Sequence, residues 1–169
     1  MKVATSTRLY VDVRPLKKGD TLSYDLSQHL PRRLVVGTVV IVADNPPVFL
    51  SVLRKRLARL QTDIERERAR TLDRHKRLGL THALQRLTTA RFTTKSAMDF
   101  PDPDVLCITP HDLLARHIAC STVYVSVPLT DAQLRAGLDL LRPGGLLAVY
   151  GEWSPEYERI VNEYLGTDT

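Results

Sequence analysis

Arg54, Lys55, Arg56, Arg59, Arg66, Arg68, Arg70, Arg74, Lys76 and Arg77 crowd into one stretch of the chain. Guanidinium and ammonium groups at that density suit one kind of chemistry above others, the neutralisation of phosphates on a polyanion with release of its counterions. Residues 1–53 carry seven Lys/Arg against four Asp/Glu, residues 54–95 thirteen against four, and residues 96–169 four against eleven. The net charge of +5 is therefore the difference between a basic middle and an acidic C-terminal half. Arginines at i, i+4 spacing suit phosphate contact but carry no base readout of their own. Stacking would want aromatic rings nearby, and Phe92 is the candidate in the stretch. The same basic helix would also fit an acidic protein partner or the acidic half of a second copy, which makes a homo-oligomer a companion expectation.

A second constellation, Asp44, His111, Asp112 and Glu152, follows from the order of the expected elements. Each residue falls just beyond an expected strand, and ligands of parallel sheets bind outside the carboxyl ends of the strands. Carboxylates beside an imidazole are residue types for general acid–base work. Each also suits a turn or a first helical turn, and no catalytic role is assigned. The first buried strand runs into ADNPP, with two prolines where a dinucleotide loop needs glycines for close approach to a pyrophosphate, and no G-x-x-x-x-G-K-[ST] occurs. No cofactor is expected. Cys107 and Cys120 are too few for a disulfide framework or a four-cysteine zinc site. Asp99, Asp102 and Asp104 stand among Pro101 and Pro103 and read as a loop before a strand, so no metal is expected either.

The elements that must position these groups can be read from periodicity. With 169 residues, 43% hydrophobic and 25% charged, the chain has the composition of a folded domain. It lacks an apolar run of the ~20 residues that a membrane span needs, and its start lacks the apolar core of a signal peptide. A cytoplasmic protein with no membrane partner is the expectation. TRLYVDVR (7–14) alternates as a half-buried strand, and TLSYDLS (21–27) alternates again through Leu22, Tyr24 and Leu26, which predicts an antiparallel hairpin annex over residues 1–33. LVVGTVVIVA (34–43) reads as a strand covered on both faces. Phe49, Leu53, Leu57, Leu60 and Ile64 recur at helical spacing, with the basic residues mostly off that stripe, and a basic helical insertion spans about 54–88. Strands at 104–109, 122–127 and 146–150 alternate with helices at 110–119, 130–141 and 155–165. Thr109, Thr130 and Ser154 stand as N-caps and Gly166 as a left-handed C-terminal cap. The prediction is an α/β domain over 34–169, a three-layer, mostly parallel, Rossmann-like or flavodoxin-like sheet with the N-terminal β-hairpin annex.

Three families share pieces of this pattern. LRPGGLLAVYGE (141–152) resembles the late-strand region of class I methyltransferases, without the acidic, glycine-rich loop that holds S-adenosylmethionine there. IVADNPPVFLSVLRKRL resembles the opening of a response-regulator receiver, but Thr109-Pro110 and Tyr150-Gly151 stand where its phosphoacceptor aspartate and its lysine belong. The widest resemblance is to RecJ-type single-strand DNA exonucleases. STRLYVDVRP is similar to the strand that ends their oligonucleotide-binding domain, and TLSYDLS, VVIVADNPPVFLSVLRKRL, STVYVSVPLTDAQLRAGLDLL and GEWSPEYERIVNEYL are similar to successive segments of their C-terminal accessory domain. The catalytic modules of that family carry an Asp-His-His triplet, which this chain lacks, so no catalytic residue transfers. The resemblance implies a non-catalytic accessory module for DNA replication or repair, binding DNA, expected in single-stranded form, or a DNA-processing protein. A protein-interaction or receiver-like regulatory domain and a degenerate methyltransferase-like enzyme are the alternatives.

Overall fold

The structure is a computed structural model that describes residues 2–5, 9–14, 21–94, 103–115 and 118–166. Seven strands form one sheet: β1 (Lys2–Thr5), β2 (Leu9–Arg14), β3 (Val39–Val42), β4 (Phe92–Thr93), β5 (Val105–Ile108), β6 (Cys120–Val125) and β7 (Leu141–Tyr150). Their order is β1-β2-β7-β6-β3-β5-β4. All neighbours are parallel except β1, which pairs antiparallel with β2 at one edge. Helices α1 (Thr21–Val36), α2 (Pro46–Arg70) and α3 (Arg74–Thr89) lie between β2 and β4 in the chain, while α4 (Asp131–Leu140) and α5 (Pro155–Gly166) flank β7.

The three layers follow from the strand pleat. Leu9, Val11, Val13, Val40, Val42, Leu106 and Ile108 point to one face, where they are packed with Leu134, Leu138, Tyr157 and Ile160 of α4 and α5. Val39, Ile41, Val105 and Cys107 point to the other, under Leu22, Leu26 and Leu30 of α1 and Leu50, Leu53 and Leu57 of α2. The three-layer Rossmann-like expectation therefore holds. β3 and β6 are neighbours whose following helices go to opposite faces, so the topological switch lies between them.

The N-terminal part differs from the sequence-based expectation. A hairpin exists, but β2 pairs with the segment before it, and on its other side it joins β7 in parallel. Residues 21–36 are a helix. Leu22, Leu26 and Leu30 recur every four residues and are buried, a period that the shorter alternation Leu22, Tyr24, Leu26 conceals. Pro31 inside α1 and the arginines after it imitate a boundary, because an interior proline removes a helical hydrogen bond. The expected strand 34–43 shrinks to Val39–Val42: Val35 and Val36 end α1 in solvent, and Gly37 breaks the path at φ 151°. α3 runs through Gly79 without a break. Of the expected helix 110–119 the described residues form a short 3-10 helix at His111–Ala115, and α5 runs through Gly166, which does not take the left-handed cap conformation. Thr130 caps α4 in a reciprocal capping box with Gln133. The irregular stretch of β7 between Leu141 and Leu146, where the register against β6 shifts, needs its glycines: Gly144 has φ 80°, and a Cβ on Gly145 would meet the Arg142 carbonyl at 2.9 Å.

Polar ties fasten α1 at both ends. Arg14 donates from Nε to Asp12 (3.2 Å) and from Nη1 to Asp25 (3.0 Å), and the Tyr150 hydroxyl donates to the same Asp25 oxygen at 2.8 Å. Burial, then that hydrogen bond, pushes the Tyr150 hydroxyl well above its ordinary pKa, so it stays a donor. At the other end Arg33 donates from Nε to Thr122 Oγ1 (2.8 Å) and from Nη2 to the Ser121 carbonyl (3.3 Å). Asp25→Ala leaves Arg14 and Tyr150 short of their shared acceptor and should cost about 1–3 kcal/mol, read as a lower urea midpoint at unchanged slope. Burial also pushes the thiols of Cys107 and Cys120 up to about 12 from an ordinary 9.0. Both should resist a thiol reagent in the native protein at pH 8 and react on unfolding. Because the folded pKa is the higher one, their contribution to stability is complete below about 9 and fades as pH climbs towards 12, which alkaline denaturation of Cys→Ser variants would show as a flatter profile.

Candidate nucleic-acid interface

α2 begins where β3 ends. Asn45 caps it, its side chain accepting from Val48 N at 3.4 Å, and Pro46 and Pro47 occupy the first turn where no N–H is required. Twenty-five residues at 1.5 Å per residue make the helix about 37 Å long, whereas strands of four to six residues span only ~13 to 20 Å. The helix therefore outruns the sheet. Its first half buries Leu50, Leu53 and Leu57 in the core, and further along Ile64 is buried outside both core clusters, as is Leu84 of α3. These residues lie where α2 and α3 pack against one another as a helical hairpin.

The face of α2 opposite this stripe carries Lys55, Arg59, Thr62, Arg66 and Arg70, at spacings of four, three, four and four, all exposed. They form a ladder about 22 Å long, with a cation at nearly every helical turn. Among the described residues Lys55, Arg59, Arg66 and Arg70 have no ion-pair partner, and neither has Arg74 at the start of α3. The hairpin turns at Thr71–Asp73 without glycine or proline. Thr71 Oγ1 donates to Glu67 O (2.6 Å), Asp73 Oδ1 accepts from His75 N and Lys76 N (2.9 and 3.3 Å), and Arg77 Nη2 donates to Thr71 O (2.8 Å). Lys76 pairs with Glu67 at 3.4 Å.

The ten basic residues read from the sequence thus divide. Lys55, Arg59, Arg66 and Arg70 line one exposed face; Arg74, Lys76 and Arg77 gather at the tip; Arg54, Arg56 and Arg68 lie towards the body or the neighbouring helix. Arg54 sits over the Phe92 ring, 5.4 Å from its centroid, which occupies the aromatic singled out in the sequence. Arg56 donates from Nε to Ser23 Oγ (2.8 Å) and lies 5.8 Å from the Tyr24 ring centroid. Tyr24 escapes sequence reasoning because a strand at 21–27 would carry it into a separate annex; a four-residue period across Leu22, Leu26 and Leu30 is the signal that places it outward on a helix beside α2.

The strand ends offer less. Asp44, His111 and Glu152 are exposed and Asp112 half-buried. Asp112 N donates to Thr109 Oγ1 at 3.3 Å, so the backbone at this residue closes a capped turn, as its position suggests. A cleft of about 420 Å³ opens beyond β6 and β7, and of the four residues only Glu152 lines it. Its other polar groups serve the backbone: Ser126 Oγ donates to Val42 O (3.2 Å), Ser154 Oγ accepts from Tyr157 N (3.2 Å), and the Tyr157 hydroxyl accepts from Leu129 N at 2.6 Å. Tyr150 also borders the cleft, and its hydroxyl donates to Asp25. Asp99 and Asp102 lie outside the described residues, while Asp104 accepts from Arg91 N at 2.8 Å and anchors β5 to the approach of β4. Among the described residues no group of three histidines, cysteines or carboxylates could hold a metal ion, and no helix is long and apolar enough to cross a membrane. Comparison with protein-family models, with curated proteins and with solved structures finds no match for this chain.

Proposed function

We propose that this chain is a non-catalytic nucleic-acid-binding module, serving DNA replication or repair, whose contact surface is the basic α2–α3 hairpin. The observation that supports the reading is the ladder Lys55, Arg59, Arg66, Arg70: exposed, repeating at one helical face, and without a carboxylate to neutralise it among the described residues. A surface that is merely solvated gains from interleaved acids at i, i+4. Here Asp63 stands between Arg59 and Arg66 without forming an ion pair with either among the described residues, Glu67 is paired to Lys76 and Glu65 accepts from Gln61 at 3.2 Å, so the ladder cations carry no direct ion pair. The resemblance of the segment order to the accessory domain of RecJ-type exonucleases points the same way and implies that the chemistry on DNA belongs to a partner or to another domain.

Backbone recognition of this kind weakens steeply with salt. The intact chain should bind oligonucleotides at about 50 mM salt and lose affinity steadily towards 200 mM. Replacing Arg59, Arg66 and Arg70 by glutamine should flatten the slope of log K against log salt by about 2 on a single strand, at ~0.7 per lost phosphate contact, without shifting the thermal midpoint. Absence of binding by the intact chain at the lower salt would overturn the proposal. Sedimentation in the same buffers gives the other outcome: oligomers that dissociate with salt, in a protein without DNA affinity, would assign the hairpin to an acidic protein surface instead.

A further inference from the structure

We propose that Tyr24, backed by Arg56, is a stacking platform for an unpaired base at the root of the cation ladder, and that the interface therefore takes single-stranded nucleic acid in preference to duplex. The inference rests on the nucleic-acid reading above and adds to it the class of strand and the residue that selects it.

Tyr24 is 54% exposed, an unusual position for a tyrosine one residue away from buried Ser23 and two from buried Leu22 and Leu26. Its surroundings are built rather than loose. Ser27 Oγ donates to the Tyr24 carbonyl at 2.6 Å, and the next residue, Asp25, is the acceptor shared by Arg14 and Tyr150, so the helical turn that carries the ring is tied to the sheet. The Arg56 guanidinium lies 5.8 Å from the ring centroid and is held there by its bond to Ser23 Oγ. With the guanidinium over one face of the ring, the exposed remainder of Tyr24 is the surface on which a base can stack, whatever its sequence.

The ladder begins next to this pair. Arg59 lies three residues after Arg56, about 4.5 Å along the axis and adjacent to it on the helix surface, so that a phosphate adjoining a base on Tyr24 comes within reach of a ladder cation. In a duplex both faces of each base are covered by its neighbours, and a protruding ring finds nothing to stack on without unstacking a step; in a single strand the faces are free. Both rings carry an arginine over them, and Phe92 offers less open surface, being half-buried where Tyr24 is exposed.

The experiment compares three ligands on the intact chain by fluorescence anisotropy at low salt: an oligothymidine of about 15 nucleotides, an abasic oligomer of the same length and charge, and the corresponding duplex. The oligothymidine should bind about tenfold more tightly than the abasic strand, the Tyr24→Phe variant should keep this preference, and Tyr24→Ala should lose it while its affinity for the abasic strand stays unchanged. The abasic strand keeps the test independent of folding losses, because a misfolded variant would lose affinity for it too. Equal affinity of the intact chain for the two strands, or a preference that survives Tyr24→Ala, overturns the platform and leaves the backbone reading standing. Failure to bind any of the three overturns both.

Discussion

Leu50, Leu53 and Leu57 fasten the first half of α2 to the sheet, and the core beneath the helix ends there. Burial of such leucines is worth about 1.5–3 kcal/mol each, enough to fix the direction in which the rest of the helix leaves the body. From that point the helix survives on a second, smaller apolar contact, with Ile64 and Leu84 buried where α2 and α3 pack. A helix held along one narrow stripe leaves most of its circumference in water. That is the circumstance in which consecutive turns can carry arginine and lysine without desolvating any of them.

The same economy explains why the crevice beyond the strands is the weaker place to look for function. At the ends of β6 and β7 the hydroxyls of Ser126, Ser154 and Tyr157 satisfy backbone groups that the turn from strand to helix would otherwise leave orphaned. On the hairpin the opposite holds: the turn at Thr71–Asp73 is closed largely by Thr71, Asp73 and Arg77, and of the four exposed ladder residues only Arg70 has a side-chain bond among the described residues, a long one to the Arg66 carbonyl at 3.4 Å. Polar atoms that perform no structural work are where a binding partner has something to gain.

How much of this was legible in the sequence depends on which signal each segment carried. β5, β6, α4 and α5 could be read because β-branched runs, Thr130 with Gln133 and Ser154 before Pro155 all point to the same local state. α1 could not, because Leu22, Tyr24 and Leu26 satisfy a period of two while Leu22, Leu26 and Leu30 satisfy a helical one, and Pro31 argues against the longer window. The basic ladder was visible as composition, yet its division into exposed, tip and inward arginines needed the hairpin, since the inward ones are defined by Ser23, Tyr24 and Phe92, residues far away in the chain. The strand-end quartet was located correctly as to position, but proximity to a strand end does not make a shared pocket: only Glu152 borders the cleft.

The separation of charge between layers has a further consequence. The basic hairpin grows from the α1–α2 side of the sheet, and the acidic half of the sequence includes α4 and α5 on the other side, where Asp131, Glu156 and Glu163 meet Arg135 and Arg159. The molecule is in effect an electric dipole. In the field of a polyanion it experiences a torque before it experiences contact, turning the hairpin forward and the acidic face away. On the proposed function, salt would slow the encounter itself as well as loosen the complex, and the acidic face would be the one turned away from the strand.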